Sequence, residues 1–224
     1  MKNSIVIVAG GKGSRMNSEL PKQFMLLSDV PVLMHTLERF AQAIEDIHIV
    51  LVLPKDHISF WKGLCQQMDF DLHHEVVEGG KERFDSVKNG LTACPNEGVI
   101  GVHDGVRPLL TEELILRCYT EAAKYGSALP VVPITQSLRK MDGESSYAVD
   151  RKGMLNVQTP QCFGAEQIKA AYNQPFTPAF TDDATVFEAA GNAIHLVDGE
   201  ETNVKITTQA DLKIAEAILG LRNG

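Results

Sequence analysis

Short apolar runs alternate along the chain with stretches whose apolar residues recur at helical spacing. The runs are rich in β-branched residues and predict strands at Ser4–Ala9, His48–Leu53, Leu72–Val77, Val99–His103 and Ala128–Val132. Continuous apolar runs are expected of strands that are buried on both faces. The alternation therefore predicts an α/β fold, in which helices flank a Rossmann-like, mostly parallel sheet.

The most complete helical pattern follows the fourth run. Thr111 is placed to cap a helix, and Glu112 and Glu113 fall in its first turn, where acidic side chains are favourable. Apolar residues then continue on one face, at Leu114, Ile115, Cys118 and Ala122. Later in the chain we expect helices near Ala165–Tyr172 and Asp182–Ala190, strands at His195–Asp198 and Asn203–Ile206, and a closing helix.

The alternation breaks after Val132. Residues 134–157 carry two turn signals, Asp142-Gly143 and Lys152-Gly153, between short extended pieces. This segment is too short to bury a core of its own, so we interpret it as a β-hairpin arm inserted into a single domain that spans residues 1–224. An arm of this kind usually packs on another surface, and a partner subunit is the simplest candidate. The sequence therefore predicts a homodimer.

Charge narrows the class of partner. The chain of 224 residues has 21 Lys plus Arg against 29 Asp plus Glu, which gives a net charge of −8. That balance argues against nucleic acid and against a basic membrane-binding surface. It leaves room for a small anionic substrate, because a binding site needs only a few well-placed cations.

The cysteines and the apolar runs bear on location. The four cysteines match no zinc or redox spacing, which is typical of a reducing compartment. The longest apolar run, Ile47–Leu53, is far shorter than the ~20 residues that cross a bilayer. We therefore expect a soluble protein of the cytoplasm, with no membrane association.

A glycine-rich segment follows the first predicted strand and reads Ala9-Gly10-Gly11-Lys12-Gly13-Ser14-Arg15-Met16. Glycines at this place let backbone N–H groups approach a phosphate closely. Met16 stands where a dinucleotide fingerprint needs its third glycine, and no window fits a P-loop. The segment therefore indicates a phosphate site of another kind.

Six segments together carry a family resemblance. The glycine segment followed by Leu20-Pro21-Lys22-Gln23-Phe24 resembles the sugar-phosphate nucleotidyltransferases. The other five are Gly79-Gly80-Lys81-Glu82-Arg83-Phe84-Asp85-Ser86-Val87, His103-Asp104-Gly105-Val106-Arg107-Pro108, Val149-Asp150-Arg151, Leu155-Asn156-Val157-Gln158-Thr159-Pro160-Gln161 and Asn203-Val204-Lys205-Ile206-Thr207. In this order, and over essentially the whole chain, they resemble the 2-C-methyl-D-erythritol 4-phosphate cytidylyltransferase family.

The resemblance implies transfer of CMP from CTP to methylerythritol phosphate, with release of pyrophosphate, in the non-mevalonate route to isoprenoid precursors. It implies that Arg15 and Lys22 stabilise the transition state at the α-phosphate. It also implies that Arg151 and Lys205 hold the acceptor, with Arg151 reaching across from the neighbouring subunit. The remaining substrate contacts that it implies are Ala9, Gly10, Gly11, Gly80, Ser86, Arg107, Ser137, Thr159 and Thr181, with Gly80 and Ser86 in the cytosine pocket.

The chemistry of this reaction agrees with those residue types. The attacking phosphate has a second pKa of about 6 and is already an anion, so no general base is required. Catalysis then depends on positioning and positive charge. Asp104, at the carboxyl end of the fourth run, is the candidate ligand for Mg²⁺ against the triphosphate, with a helix cap as its alternative. Ser86 is equally a candidate cap, and His103 is expected to be a packed core histidine.

Several points stay open. Lys81 and Ser137 stand where members of the family often carry Asp and Thr, and Asp183 replaces a frequent Glu. The nearest alternative activity is cytidylyl transfer to another alditol phosphate, such as ribitol 5-phosphate. Two alternatives from other classes are an NAD-dependent oxidoreductase and a regulatory module that binds nucleotide without catalysis.

Overall fold

The structure is a computed structural model that describes residues 2–11 and 20–223. The strands are β1 (Ser4–Val8), β2 (Leu26–Leu27), β3 (Val30–Pro31), β4 (His48–Leu53), β5 (Glu75–Glu78), β6 (Val99–Asp104), β7 (Ser127–Pro133), β8 (Leu138–Asp142), β9 (Ser145–Val149), β10 (Leu155–Val157), β11 (Gln161–Gly164) and β12 (Leu196–Asp198). The helices are α1 (Val32–Ala43), α2 (Lys55–Gln67), α3 (Arg83–Ala93), α4 (Glu112–Tyr125), α5 (Ala165–Ala171), α6 (Asp183–Ala189) and α7 (Gln209–Asn223), and a short 3-10 helix spans Lys22–Phe24.

One eight-stranded sheet forms the centre, in the order β10-β7-β11-β6-β1-β4-β5, with β12 beside β7. β1 pairs in parallel with β4 and β6, and β4 pairs in parallel with β5. β11 is antiparallel to both β6 and β7. The predicted class, a mostly parallel sheet flanked by helices, is confirmed.

The apolar runs are continuous because both faces of the sheet are covered. Ile5 and Ile7 of β1 pack in one cluster with residues of α1, α2 and α4, whereas Val6 packs in a second cluster with α3, α5 and α6. Successive side chains of a strand point to opposite faces, so a strand covered by helices on both sides needs apolar residues at every position. A third cluster joins α7 to Leu27 and Ile206.

Two predicted strands differ from the structure. The strand expected at Leu72–Val77 begins only at Glu75, because the preceding residues use side-chain bonds: His74 Nδ1 lies 2.7 Å from the Leu72 carbonyl, and Trp61 Nε1 donates to His74 Nε2 at 2.9 Å. The strand predicted at Asn203–Ile206 is wrong, since this segment is irregular. The predicted cap of α4 is confirmed, because the Thr111 hydroxyl accepts from the Leu114 N–H.

The segment 134–157 lies at the β10 edge of the sheet. Within it β8 and β9 form an antiparallel hairpin around Asp142 and Gly143, and β10 returns to pair with β7. Met141 and Tyr147 of the hairpin have 67% and 48% of their surface exposed. Elsewhere, among the residues that the structure describes, no helix combines the length and apolar character needed to cross a bilayer.

Candidate active site

A cavity of about 300 Å³ opens at the carboxyl ends of β1, β4, β5 and β6. Parallel strands bring their carboxyl ends to the same edge, which is where ligands bind in open α/β sheets. Its lining includes the cations Lys22, Lys81, Arg83 and Lys205 and the acidic residues Glu82 and Asp104. The described part of the lining is therefore net positive in a protein whose overall charge is −8, and it suits an anionic ligand.

The end of β1 forms one wall with Ala9, Gly10 and Gly11. The buried Gln23 amide donates to the Ala9 carbonyl at 2.8 Å, so the turn that carries Lys22 is fastened to the strand end. A Cβ added to Gly11 would lie 3.7 Å from Lys22 Cε, which places the lysine stem against this glycine. Arg15, predicted in the same loop, lies outside the described residues.

The opposite wall is formed by residues 79–82, a loop that joins β5 to α3. The Gly80 N–H donates to Ser86 Oγ at 3.1 Å, and that hydroxyl donates to the Glu82 carbonyl at 3.1 Å. Glu82, in a reciprocal pair with Asp85, is the cap of α3, so Ser86 is not the helix cap. Its hydroxyl holds the loop in shape instead.

Asp104 ends β6 at the floor of the cavity and is only 9% exposed. Its Oδ2 lies 2.9 Å from Lys205 Nζ and 3.3 Å from Arg107 Nε. Burial alone would raise the pKa of this carboxyl, but Lys205, Arg83 and Arg107 together hold it well below its usual range. Asp104 is therefore ionised, and it orients Lys205 within the cavity.

Arg107 connects this floor to the irregular segment that carries Lys205. Its Nη1 donates to the Asn203 carbonyl at 2.8 Å, and the buried Asn203 amide donates to the Thr159 carbonyl at 2.9 Å. These bonds attach Asn203 to Arg107 and Thr159, and the segment that follows is irregular rather than a strand. Asn203 belongs to the motif Asn203-Val204-Lys205-Ile206-Thr207, from which no function of its own was predicted.

His103 supports the same floor from behind. It is fully buried, and burial lowers its pKa to about 3. Its Nε2 faces the Arg107 carbonyl at 3.2 Å, so Nε2 carries the proton and Nδ1 accepts from the Thr159 hydroxyl at 2.9 Å. The Asp104 N–H in turn donates to that hydroxyl at 3.2 Å. The prediction of a packed core histidine is confirmed.

The predicted site residues thus fall into three groups. One group lines the cavity and comprises Ala9, Gly10, Gly11, Lys22, Gly80, Ser86, Asp104 and Lys205. Arg107 and Thr159 lie behind the floor, where their polar atoms are bonded to protein groups. Ser137, Arg151 and Thr181 are exposed and lie away from the described lining, with Arg151 bonded to the Thr135 carbonyl on the arm.

Known proteins that are similar to this chain belong to one family. A model of the 2-C-methyl-D-erythritol 4-phosphate cytidylyltransferase family matches residues 4–221. Proteins of that name from Bacteroides thetaiotaomicron and Bacteroides fragilis are 51% and 48% identical, each over 98% of this chain and 100% of the relative.

Solved structures agree as well. A 4-diphosphocytidyl-2C-methyl-D-erythritol synthase from Anaerococcus prevotii is 29% identical, with a TM-score of 0.80 and 98% of each chain covered. A 2-C-methyl-D-erythritol 4-phosphate cytidylyltransferase from Thermus thermophilus is 30% identical, with a TM-score of 0.79, over 97% of this chain and 98% of that one.

Proposed function

The chain belongs to the 2-C-methyl-D-erythritol 4-phosphate cytidylyltransferase family, and we infer from this that it transfers CMP from CTP to 2-C-methyl-D-erythritol 4-phosphate. The products are 4-diphosphocytidyl-2-C-methyl-D-erythritol and pyrophosphate, in isoprenoid precursor biosynthesis. The observation that carries this function is the match over residues 4–221, in which four of the six motifs contribute residues to one cationic cavity. Transfer to ribitol 5-phosphate is not favoured, because relatives at 51% and 48% identity carry the methylerythritol name.

The residues of the cavity supply positive charge along the path of the phosphates. The acceptor phosphate is ionised near neutral pH and attacks the α-phosphorus directly, so the protein needs no group to remove a proton. Lys22 lies beside the Gly10-Gly11 wall and faces the charge that develops on the α-phosphate. Lys205, held by Asp104 at 2.9 Å, positions the acceptor phosphate on the other side. Arg15 would join Lys22 in this role.

Asp104 is the residue that would hold Mg²⁺. Its carboxylate is ionised and borders the cavity, which suits a hard cation that binds one or two carboxylates together with substrate phosphates. In the described ranges no group of three or more His, Cys, Asp or Glu side chains is placed to hold a metal alone, so triphosphate oxygens would have to complete the coordination. When bound, the ion would neutralise charge on the triphosphate and on the departing pyrophosphate.

The arm is proposed to form a homodimer. A two-stranded hairpin is at best marginally stable alone, and Met141 and Tyr147 leave apolar surface for a second copy to cover. Arg151, on this arm, would then complete the acceptor site of the partner. Mixing inactive Arg151→Ala and inactive Lys22→Ala subunits should restore part of the activity, because a mixed dimer contains one complete site. No recovery, under conditions where subunit exchange is demonstrated, would count against the shared site.

A cytoplasmic location is proposed as well. All four cysteines are free thiols, and three of them, Cys94, Cys118 and Cys162, are buried. Free thiols persist in a reducing compartment.

The activity is tested by pyrophosphate release from CTP with each acceptor supplied separately. We expect turnover with methylerythritol phosphate, and activity with ribitol 5-phosphate alone would refute the proposed acceptor. Lys22→Ala should lower kcat by about 100-fold or more, since it removes a cation from the transition state. Lys213→Ala is the matched control, because Lys213 is exposed on α7 outside the described cavity lining.

A further inference from the structure

Residues 79–82, which we call the nucleotide loop, lead directly into α3. An ion pair between the partly exposed Arg83 and the buried Asp183 joins the start of α3 to helix α6. Arg83, the first residue of α3, donates from Nη1 to Asp183 Oδ1 at 2.9 Å and from Nη2 to Asp183 Oδ2 at 2.6 Å. The Asp183 side chain is fully buried and also accepts from the Tyr172 hydroxyl at 2.6 Å. Burial acts to lower the pKa of Arg83, but Asp183 outweighs it and holds this pKa above its ordinary value. The Arg83 guanidinium therefore keeps its charge, and its two bonds to Asp183 fix its direction.

The α6 side of this pair is anchored independently of Arg83. Gln161 of β11, only 1% exposed, donates to Asp182 Oδ2 at 2.9 Å and accepts from the Ala184 N–H at 2.8 Å. The start of α6 is thus attached to the central sheet on its own account. The position of Asp183 is therefore set by α6 and β11, and Asp183 in turn holds the Arg83 guanidinium.

The nucleotide loop directly precedes Arg83 in the chain. Bonds within the loop and the first turn of α3, from Gly80 to Ser86 and between Glu82 and Asp85, set its local shape. They do not set its place relative to the rest of the cavity. The Gly79 N–H donates to the Leu53 carbonyl at 2.8 Å, which attaches the start of the loop to β4. At the other end of the loop, Asp183, 100 residues from Arg83 in sequence, supplies a second tertiary bond. A buried ion pair is weak support for stability in general, and its better-attested use is to specify geometry.

We propose that Arg83 and Asp183 are positioning residues that hold the nucleotide loop in the conformation that binds CTP. This inference rests on the proposed function, since it takes CTP as the ligand of that loop. Because α6 has its own anchor at Gln161, loosening the pair should displace the CTP side of the cavity. Lys205 keeps its bond to Asp104 at 2.9 Å, so the acceptor side should stay in place. The expected effect is therefore weaker binding of CTP with unchanged binding of the acceptor.

The test compares Arg83→Lys, which keeps the charge but loses the fork, with Asp183→Asn, which keeps the shape but loses the charge. We expect each variant to raise the Kd for CTP by at least about 5-fold in calorimetry while the KM for the acceptor stays within about twofold. The double variant should be little worse than either single one, because the two residues act as a unit. Arg117→Lys is the matched control, since Arg117 pairs with Glu113 at 2.8 Å on α4.

Every other outcome of this test bears on either the inference or the proposed function. Variants that bind CTP as the wild type does would overturn the inference while the proposed function stands. Equal losses for both substrates, or failure of both variants to fold, would also overturn it, because the pair would then support the whole site or the whole fold. A wild type that binds CTP but transfers nothing would refute the proposed function, and the Kd comparison would still judge the inference. A wild type that binds no CTP would overturn both.

Discussion

Gly80 is the position where a single methyl group should damage the nucleotide loop most. A Cβ built on Gly80 would lie 2.2 Å from Asp85 Cβ, 3.1 Å from Asp85 C and 3.2 Å from Asp85 Cα. Two of these three atoms belong to the backbone of α3, so a side-chain rotation cannot relieve the contact. Either the loop or the start of the helix has to move by about 1 Å, and overpacking of this kind costs about 1–3 kcal/mol.

The free-energy cost of the added methyl group can appear as lost affinity for CTP or as lost stability of the fold. If the loop moves, Gly80→Ala should raise the Kd for CTP by about 5- to 150-fold, which is the same 1–3 kcal/mol expressed as binding. Calorimetric titration with CTP measures the affinity, and urea unfolding of the free protein measures the change in the free energy of unfolding. We expect most of the cost in affinity, because the loop borders an open cavity whereas α3 is packed on the sheet.

Gly63→Ala provides the matched control. Gly63 lies inside α2, and a Cβ there would meet nothing within 4 Å. This change should stabilise the fold by about 0.5–1 kcal/mol and leave the affinity for CTP unchanged. If Gly80→Ala kept both the affinity and the stability of the wild type, the close contact with Asp85 would not constrain the loop, and the reasoning would be refuted.

Three further predictions concern the floor of the cavity. His103 has a folded pKa of about 3 against an ordinary value of 6.5, so the unfolded chain binds more protons between these values and the free energy of unfolding falls as pH drops through that window. Urea unfolding should show a loss of about 2 kcal/mol from this group between about pH 7.5 and about pH 5, and His103→Gln should lack it; equal pH dependence in both proteins would contradict the assignment. Lys205→Gln removes the cation at 2.9 Å from Asp104 and should lower kcat by about 100-fold with little change in CTP affinity, as measured by pyrophosphate release and calorimetry, whereas Lys213→Gln should not. Chelation with EDTA should stop turnover and added Mg²⁺ should restore it, and Asp104→Asn should require more Mg²⁺ for half-maximal activity; full turnover in EDTA would argue against a metal at this carboxylate.

Sequence patterns were most informative where one physical cause acts on neighbouring residues. The run His48–Leu53 is a strand with the predicted bounds, because burial on both faces requires apolar residues at every position. Thr111 caps α4 because the hydroxyl and the N–H that it satisfies are three residues apart. Lys205 lines the cavity although the strand predicted around it was wrong, and its contact with the acceptor stays a prediction.

Contacts between distant residues were decided only by the tertiary structure. Arg107 was predicted as a substrate contact, yet its guanidinium faces Asp104 and the carbonyl of Asn203, 96 residues away. Arg83 belongs to the motif of residues 79–87, and its position there did not predict the bonds that it makes to Asp183.

Local periodicity was therefore enough to predict the class of fold. The cations in the motifs predicted the sign of the site's charge, and the order of the motifs indicated the family. Which cations line the cavity and which lie behind its floor was decided by the fold. An ion pair depends on where two side chains lie in space, and the separation of two residues along the chain does not predict that position.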